Sequence, residues 1–464
     1  MGMHPLEQER YDACEHEDIA DNVKLQFYGR GRYPELHNAN KKNLNFIRIK
    51  SHRHNTRSER LRSTEEISLT FGKISALAGD FYGVPEQPIT LEEETELYNI
   101  TYDRKQRAIA AFNTIGEWKA EHIGKIKTTL MRNLSYLNAE RTQIENKGKI
   151  KKTDIDEVIA YHGFEDAICE NYKNEKIEIE KMKNSFPIFM MKDLEHGPYL
   201  LKLLINNYDH FQPYAKVTFE VFHALALEEA KKARNAQLTP NEKNQILETA
   251  YALEAFGCHF LGDCFASGHM RTPRRALPKS TSFDQCGNLL DIWQWIVTKG
   301  IPNLSIFELG GHLLCNKMHD EDNEHGLRVT SRYAIENGKP SWMAYGDKML
   351  HNTNNITNFR FAQKAVQLAV DEVFRASQST EPEMTTNHSK VFDLIPYIDT
   401  KEKNNTPMFQ VRPIDEKVCR RTELGNLQCQ QQLNDNWTAA ETLTTLALCK
   451  PSNMEIEKET KKGI

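Results

Sequence analysis

Residues 239–275 read TPNEKNQILETAYALEAFGCHFLGDCFASGHMRTPRR, a stretch in which a helix start and a cluster of polar chemistry stand close together. Thr239 before Pro240, with Glu242 three residues on, has the form of a capping box with proline in the first helical position, so a helix is predicted from Pro240 onward. His259 and Asp263 are four apart in that helix and emerge on one face, about one turn from each other. Gly257 and Gly262 are costly inside a helix unless close packing or a nearby site requires them. Gly268 is expected to end the helix and turn the chain, bringing His269 back toward the same point. Arg271, Arg274 and Arg275 follow directly.

The rest of the chain surrounds this helix with more helices. Strand-like alternation is scarce, and the expected class is all-α. The stretch from Ser63, STEEISLTFGKISALAGDFYG, is read as a helix running into Asp80, because Ser63 and Glu66 resemble a second capping box. Residues 90–185 read as long charged helices, joined near ENKGKIKKTD at 145–154 into a hairpin inserted in the main domain. A further helix ends in NNYDHF at 206–211, before Pro213, and AKVTFEVFHALALEEAKKARNA at 215–236 forms another. The predicted organisation is a polar, basic N-terminal arm over 1–62, a helical catalytic domain over 63–375, a loop-rich closing region over 376–450 and a charged tail over 451–464.

Composition narrows the class. The chain has 464 residues, 39% hydrophobic and 27% charged, which describes a globular protein rather than a fibrous or disordered one. A net charge of -5 argues against bulk attraction to nucleic acid. No apolar run approaches the ~18 residues of a membrane span, and the acidic N-terminus lacks the apolar core of a Sec-type signal. The nine cysteines include no C-x-x-C pair, so most are expected to be buried thiols. Cys258 and Cys264 are expected to pack rather than ligate. The basic run FIRIKSHRHNTRSERLR at 46–62 reads as a solvated arm or as a contact for anionic lipid.

Two imidazoles and a carboxylate converging on one point are suitable ligands for zinc, although H-x3-D on a helix equally describes a histidine bonded to an acid. Other His and Asp residues favour the metal reading. NNYDHF supplies Asp209 and His210, EVFHALALEEA supplies His223, and GGHLLCNKMHDEDNEHG at 310–326 supplies His312, His319, Asp320, Asp322 and Asn323. Two or three zinc ions suit phosphate-ester hydrolysis, and a guanidinium such as Arg271 suits a phosphate contact.

His259, Asp263 and His269, written H-x3-D-x5-H, resemble the central metal motif of the bacterial zinc-dependent phospholipase C and S1/P1 nuclease superfamily. With ALAGDFYG at 76–83, NNYDHF, KMHDEDNEHGL at 317–327 and WMAYGD at 342–347, the sequence is similar to an exported subgroup that hydrolyses phosphatidylcholine. The resemblance runs from about residue 64 to 375 and extends through FDLIPYIDTKEKNNTPMF and CRRTELGNL. It implies an all-helical domain of that type and metal ligation by Asp80, His210, His259, Asp263, His269 and His319. Where that superfamily uses a processed N-terminal Trp amine, this chain has no comparable Trp; the alternatives are that Asp80 substitutes or that this ion is absent. The superfamily's last ligand pair is H-x3-E or H-x3-D, whereas Asn323 stands four after His319, which leaves Asp322, Asp320 or His312 to serve. At the position of the superfamily's water-activating aspartate this chain has His196, and Glu195, Asp209 and Asp320 are the candidates for general base.

The function expected from the resemblance is a zinc phospholipase C. A metal-activated water would hydrolyse a phosphatidylcholine-like lipid at a membrane surface to diacylglycerol and a phosphorylated head group. Phe81, Tyr82, Tyr208 and Phe211 are candidate walls for a cationic choline group, or simply core residues. The alternatives are a P1-like zinc nuclease, which would need base-stacking aromatics and a basic channel, and a non-catalytic zinc-binding protein. Without a Sec-type signal, the expected location is the bacterial cytosol or, by resemblance, a host cell reached through a specialised secretion system.

Overall fold

The computed structural model describes residues 13–20, 23–29, 46–50, 66–79, 83–84, 87–91, 99–117, 203, 206–280, 306–338, 341–346, 349–350, 352–378, 389–429 and 436–448. In chain order the elements are α1 Ala13–Ala20, β1 Phe46–Lys50, β2 Glu66–Thr70, α2 Phe71–Leu77, α3 Tyr102–Glu117 and a 3-10 turn Asn207–His210. Next come α4 Tyr214–Lys231, α5 Pro240–Asp263, α6 Ser267–Arg271, α7 Ala276–Ser280, α8 Ile306–His325, β3 Leu327–Thr330, α9 Arg332–Glu336 and β4 Trp342–Ala344. The last are α10 Ile356–Gln378, α11 Val391–Leu394, β5 Tyr397–Ile398, β6 Phe409–Val411, β7 Val418–Arg420 and α12 Ala439–Leu448. Among the described residues helices dominate, as expected, and the strands form only small antiparallel sheets: β1-β2, β4-β3-β5 and β6-β7.

The chain divides into two compact units, Met1–Met270 with Asn323–Asp399 and Arg271–Asp322 with Thr400–Ile464. The expected 63–375 and 376–450 stretches are therefore each shared between units. In the second unit α7, α8, the β6-β7 hairpin and α12 build a core of Leu277, Leu314, Cys315, Met318, Met408, Phe409 and Val418. The buried Arg421 guanidinium pairs with Glu321 there, at 2.8 and 2.7 Å.

In the first unit the central element is α5. It starts as the sequence predicts: Thr239 accepts from the Glu242 amide while the Glu242 carboxylate accepts from the Thr239 N–H, the full capping box. From Ala250 to Asp263 every residue is buried, so this half of the helix is enclosed on all sides, by α4 and α10 among others. Phe219, Phe222, Phe256, Phe260, Val366 and Val370 fill the contact. Gly257 answers one of the glycine questions: a Cβ there would stand 2.6 Å from Phe222 Cβ, so its absence lets α4 and α5 approach.

Three expectations are corrected. Glu66–Thr70 is a strand rather than the first turns of a helix. It pairs antiparallel with β1, Ile67 opposite Ile49 and Glu66 opposite Lys50, and the helix begins only at Phe71. A distant partner strand outweighed the local capping pattern, which the alternating Ile67, Leu69 and the β-branched Thr70 permit. Second, the 1–62 stretch is not simply a polar arm, since Ile19, Val23, Leu25 and Ile47 lie in the main core. Third, α5 ends at Asp263 and a turn at 264–266 precedes α6, so Gly268 sits inside a new short helix instead of ending the old one. Gln212 Nε2 donates to the Cys264 carbonyl at 2.9 Å and Asn358 Nδ2 to the Phe265 carbonyl at 2.8 Å, which satisfies that buried turn.

Cys258, Cys264, Cys315, Cys419 and Cys429 are buried, as expected. Burial pushes the Cys258 and Cys264 thiols up, which suits packing. The expected hairpin is described only over its first helix, α3, and the 451–464 tail lies outside the described residues. Among the described residues no helix is long and apolar enough to cross a membrane.

Candidate metal centre

Asp263 is the last residue of α5, 1% exposed, and four imidazoles surround its carboxylate. His16 Nε2 and His269 Nδ1 lie 3.4 and 3.2 Å from Oδ1, while His210 Nδ1 and His259 Nε2 lie 3.0 and 3.5 Å from Oδ2. Each carboxylate oxygen thus faces two imidazole nitrogens. The His16 and His259 rings stack with centroids 4.1 Å apart, and His210 stands perpendicular to His259 at 4.8 Å.

The elements deliver these groups by different routes. His259 and Asp263 share a face of α5 by their four-residue spacing. His210 ends the 3-10 turn, and the chain passes from there through Pro213 into α4. His269 comes from α6, where its Nδ1 lies 2.8 Å from the His210 carbonyl and its ring stacks on Phe211 at 4.6 Å. His16 comes from α1, which buries Glu15, His16, Ile19 and Ala20 along one face. Two glycines make room: a Cβ at Gly262 would stand 2.6 Å from His16 Nδ1. A Cβ at Gly79, whose φ is +77°, would stand 2.8 Å from His210 Nε2.

The electrostatics suit a cation. His259 Nδ1 donates to the Ser75 carbonyl at 2.9 Å, which fixes the tautomer and leaves the Nε2 lone pair facing Asp263 and its neighbours. Burial, followed by the neighbouring His16, holds the His259 imidazole well below its usual value, so it is neutral. Burial alone would raise the Asp263 carboxyl, but His259, His269 and His210 outweigh it and hold it well below the carboxylate range. A neutral His259 imidazole beside an ionised carboxylate supplies two donors of the kind that bind a metal ion. The donor atoms of His16, His259 and Asp263 lie within 4.8 Å of one another, a group that could hold a metal ion.

His16 was not among the residues singled out by sequence. The signal available was an acidic N-terminal stretch in which Ile19 and Ala20 follow Glu15 and His16 at helical spacing. Of the expected ligands, the structure brings together His210, His259, Asp263 and His269, while Asp80 and the candidate base Glu195 lie outside the described residues. His223 lies elsewhere in the core of the first unit, between Glu254 at 2.8 Å and Glu372 at 3.1 Å. Asp209 accepts from the Ile89 and Thr90 amides at 2.6 and 3.1 Å and from the Thr90 hydroxyl, so its carboxylate anchors the 89–90 turn.

His319, Asp320, Asp322 and His312 belong to the second unit. There His319 Nδ1 lies 3.2 Å from Asp320 Oδ1, and Arg274 is 2.6 Å from His312 Nδ1. Arg271 donates twice to Asp322, at 2.8 and 2.6 Å, and once to the Asn405 carbonyl, so the guanidinium expected to meet a phosphate is engaged by a carboxylate. Of the aromatic candidates, Phe81 and Tyr82 lie outside the described residues. Tyr208 packs edge-on to Tyr214 at 5.5 Å, and Phe211 backs His269. Comparison with protein-family models, curated proteins and solved structures gives no match.

Proposed function

We propose that the Asp263 cluster makes this chain a metal-dependent phosphodiesterase. Within that class the reading favoured is a zinc phospholipase C that cleaves phosphatidylcholine-like lipids to diacylglycerol and phosphocholine. The observation that carries the proposal is the convergence of four imidazoles on one buried, ionised carboxylate; the choice of lipid rests on the resemblance of the motifs and on the net charge of -5, which does not favour a polyanionic substrate.

Zinc would be held by His16, His259 and Asp263, with His210 and His269 alongside. When bound, zinc supplies Lewis acidity toward a phosphoryl oxygen and lowers the pKa of water. The protein's own groups do the rest. Asp263 contributes the negative charge that keeps a cation in a buried place, and the Ser75 carbonyl keeps the His259 lone pair inward. The stack on Phe211 and the bond to the His210 carbonyl hold the His269 ring.

The direct test is release of phosphocholine from phosphatidylcholine vesicles by the purified protein, untreated, after chelation and after zinc is restored, with His259→Ala alongside. Release by the wild type should stop on chelation and return with zinc, and His259→Ala should release none. Zinc binding without any release would overturn the phospholipase reading, and cleavage of single-stranded nucleic acid instead would replace it with a nuclease. A second test concerns His16. Gly262→Ala should add helix propensity of up to about 1 kcal/mol to α5, yet weaken zinc binding by about tenfold or more by displacing the His16 ring. Unchanged affinity in a zinc titration would remove His16 from the ligand set.

A further inference from the structure

Asn323 stands where the resemblance leads one to expect a metal-binding carboxylate, and the structure shows its side chain engaged elsewhere. It is buried, its Oδ1 accepts a 2.6 Å hydrogen bond from the Gly268 amide, and the Ser267 hydroxyl lies 3.5 Å away. Gly268 immediately precedes His269 in α6. A second segment is shaped around the same oxygen: the Gly346 N–H donates to the Asn323 carbonyl at 3.5 Å, and a Cβ at Gly346 would stand 1.6 Å from Asn323 Oδ1. Position 346 therefore admits no side chain while Asn323 keeps this rotamer.

We infer that Asn323 is a positioning residue for His269, acting through the Gly268 amide rather than as a ligand. The chain of contacts is short. Asn323 Oδ1 holds the first turn of α6, and α6 carries the His269 ring into place 3.2 Å from Asp263 Oδ1 and 2.8 Å from the His210 carbonyl. An amide suits this role because it accepts the N–H without bringing an ionised group into a buried place, where desolvation is costly. A buried backbone donor left without its acceptor would favour local opening of the turn that bears His269. The significance of His269 rests on the metal-centre reading above; the Asn323–Gly268 link does not.

The test uses the full chain with Asn323→Ala, Asn323→Asp and Gly346→Ala. The first substitution deletes the acceptor, the second retains an acceptor oxygen, and the third dislodges an unchanged Asn323. The first readout is hydrogen–deuterium exchange of the Gly268 amide and the ring 15N shifts of His269 in metal-free protein. The second is the d–d absorption of protein loaded with Co2+. Asn323→Ala and Gly346→Ala should speed Gly268 exchange by about tenfold or more, shift the His269 resonances and alter the cobalt spectrum, while Asn323→Asp, which keeps an acceptor oxygen, should keep Gly268 exchange slow. Wild-type exchange and His269 shifts in Asn323→Ala would overturn the inference. So would a new cobalt spectrum in Asn323→Asp with Gly268 still protected, since the side chain would then reach the metal. Failure of the wild type to take up cobalt would overturn the metal-centre reading alone, because the exchange and ring shifts are measured without metal.

Discussion

Replacing Asp263 by Asn is expected to lower zinc affinity by at least about 100-fold, a loss at or beyond the upper end of what outer-sphere partners of metal ligands cost. The substitution keeps the shape of the side chain and removes its charge. In the wild type one ionised carboxylate serves four imidazoles, two at each oxygen, within a site that is almost completely buried. Without that charge a divalent ion would enter a low-dielectric cluster with only imidazole nitrogens as donors, and its desolvation would not be offset. Equilibrium dialysis with elemental analysis measures the effect, and phosphocholine release should disappear with the metal. Asp263→Asn protein that keeps wild-type zinc would show that the cluster is a hydrogen-bonded core feature and not a metal centre.

The second large effect is on stability and lies outside that centre. His223 is fully buried on α4 and donates from both ring nitrogens, to Glu254 of α5 at 2.8 Å and to Glu372 of α10 at 3.1 Å. Burial opposes the imidazolium, but the two carboxylates outweigh it and push its pKa up to about 10. Also facing this cluster are the Cys258 thiol, 3.9 Å from Glu254, and the Arg375 guanidinium and Lys390 amide, 3.5 and 3.1 Å from Glu372, to which the Ser389 side chain is hydrogen-bonded as well. His223→Leu removes the shared cation and leaves both carboxylates buried, which should cost about 3–5 kcal/mol at pH 7 by urea unfolding.

The same cluster has a pH signature. Because the folded-state pKa of His223 lies above its ordinary value of 6.5, its contribution is complete below about pH 6.5 and is lost as pH rises through about 10. On the acid side burial raises the Glu372 carboxyl, but the bonds from His223 outweigh it and hold it below its ordinary 4.5, so its contribution is present above that pH and lost as pH falls. Wild-type stability should therefore decline between pH 6.5 and 10, and His223→Leu should lack that part of the decline. A variant that loses less than about 1 kcal/mol and keeps the wild-type alkaline slope would show that the His223 cluster contributes little net stability.

Local signals were legible where a few neighbouring residues determine the outcome. Thr239, Pro240 and Glu242 start α5 without help from the rest of the chain, because a capping box satisfies the free amides of the helix within its own first turn. The four-residue interval between His259 and Asp263 places both on one face for any straight helix. His269 was reached through the turn expected at Gly268, which the structure places at 264–266, and His210 through the resemblance of NNYDHF to the superfamily's motif. Gly257 and Gly262 were recognisable as needing a reason, and the reasons, Phe222 and His16, lie on other elements.

The sequence by itself determined the helical class, the start of α5 and the core of the cluster, since these depend on spacing within one segment. Only the tertiary structure decided that Glu66–Thr70 would be a strand, that His16 joins Asp263, that Arg271 pairs with Asp322 and that Asn323 holds the Gly268 amide. Each of these depends on which distant segment returns to meet a given side chain. Burial then makes the choice of partner binding, because a polar group out of contact with water takes the nearest partner of complementary charge or hydrogen-bonding sense, whatever its separation along the chain.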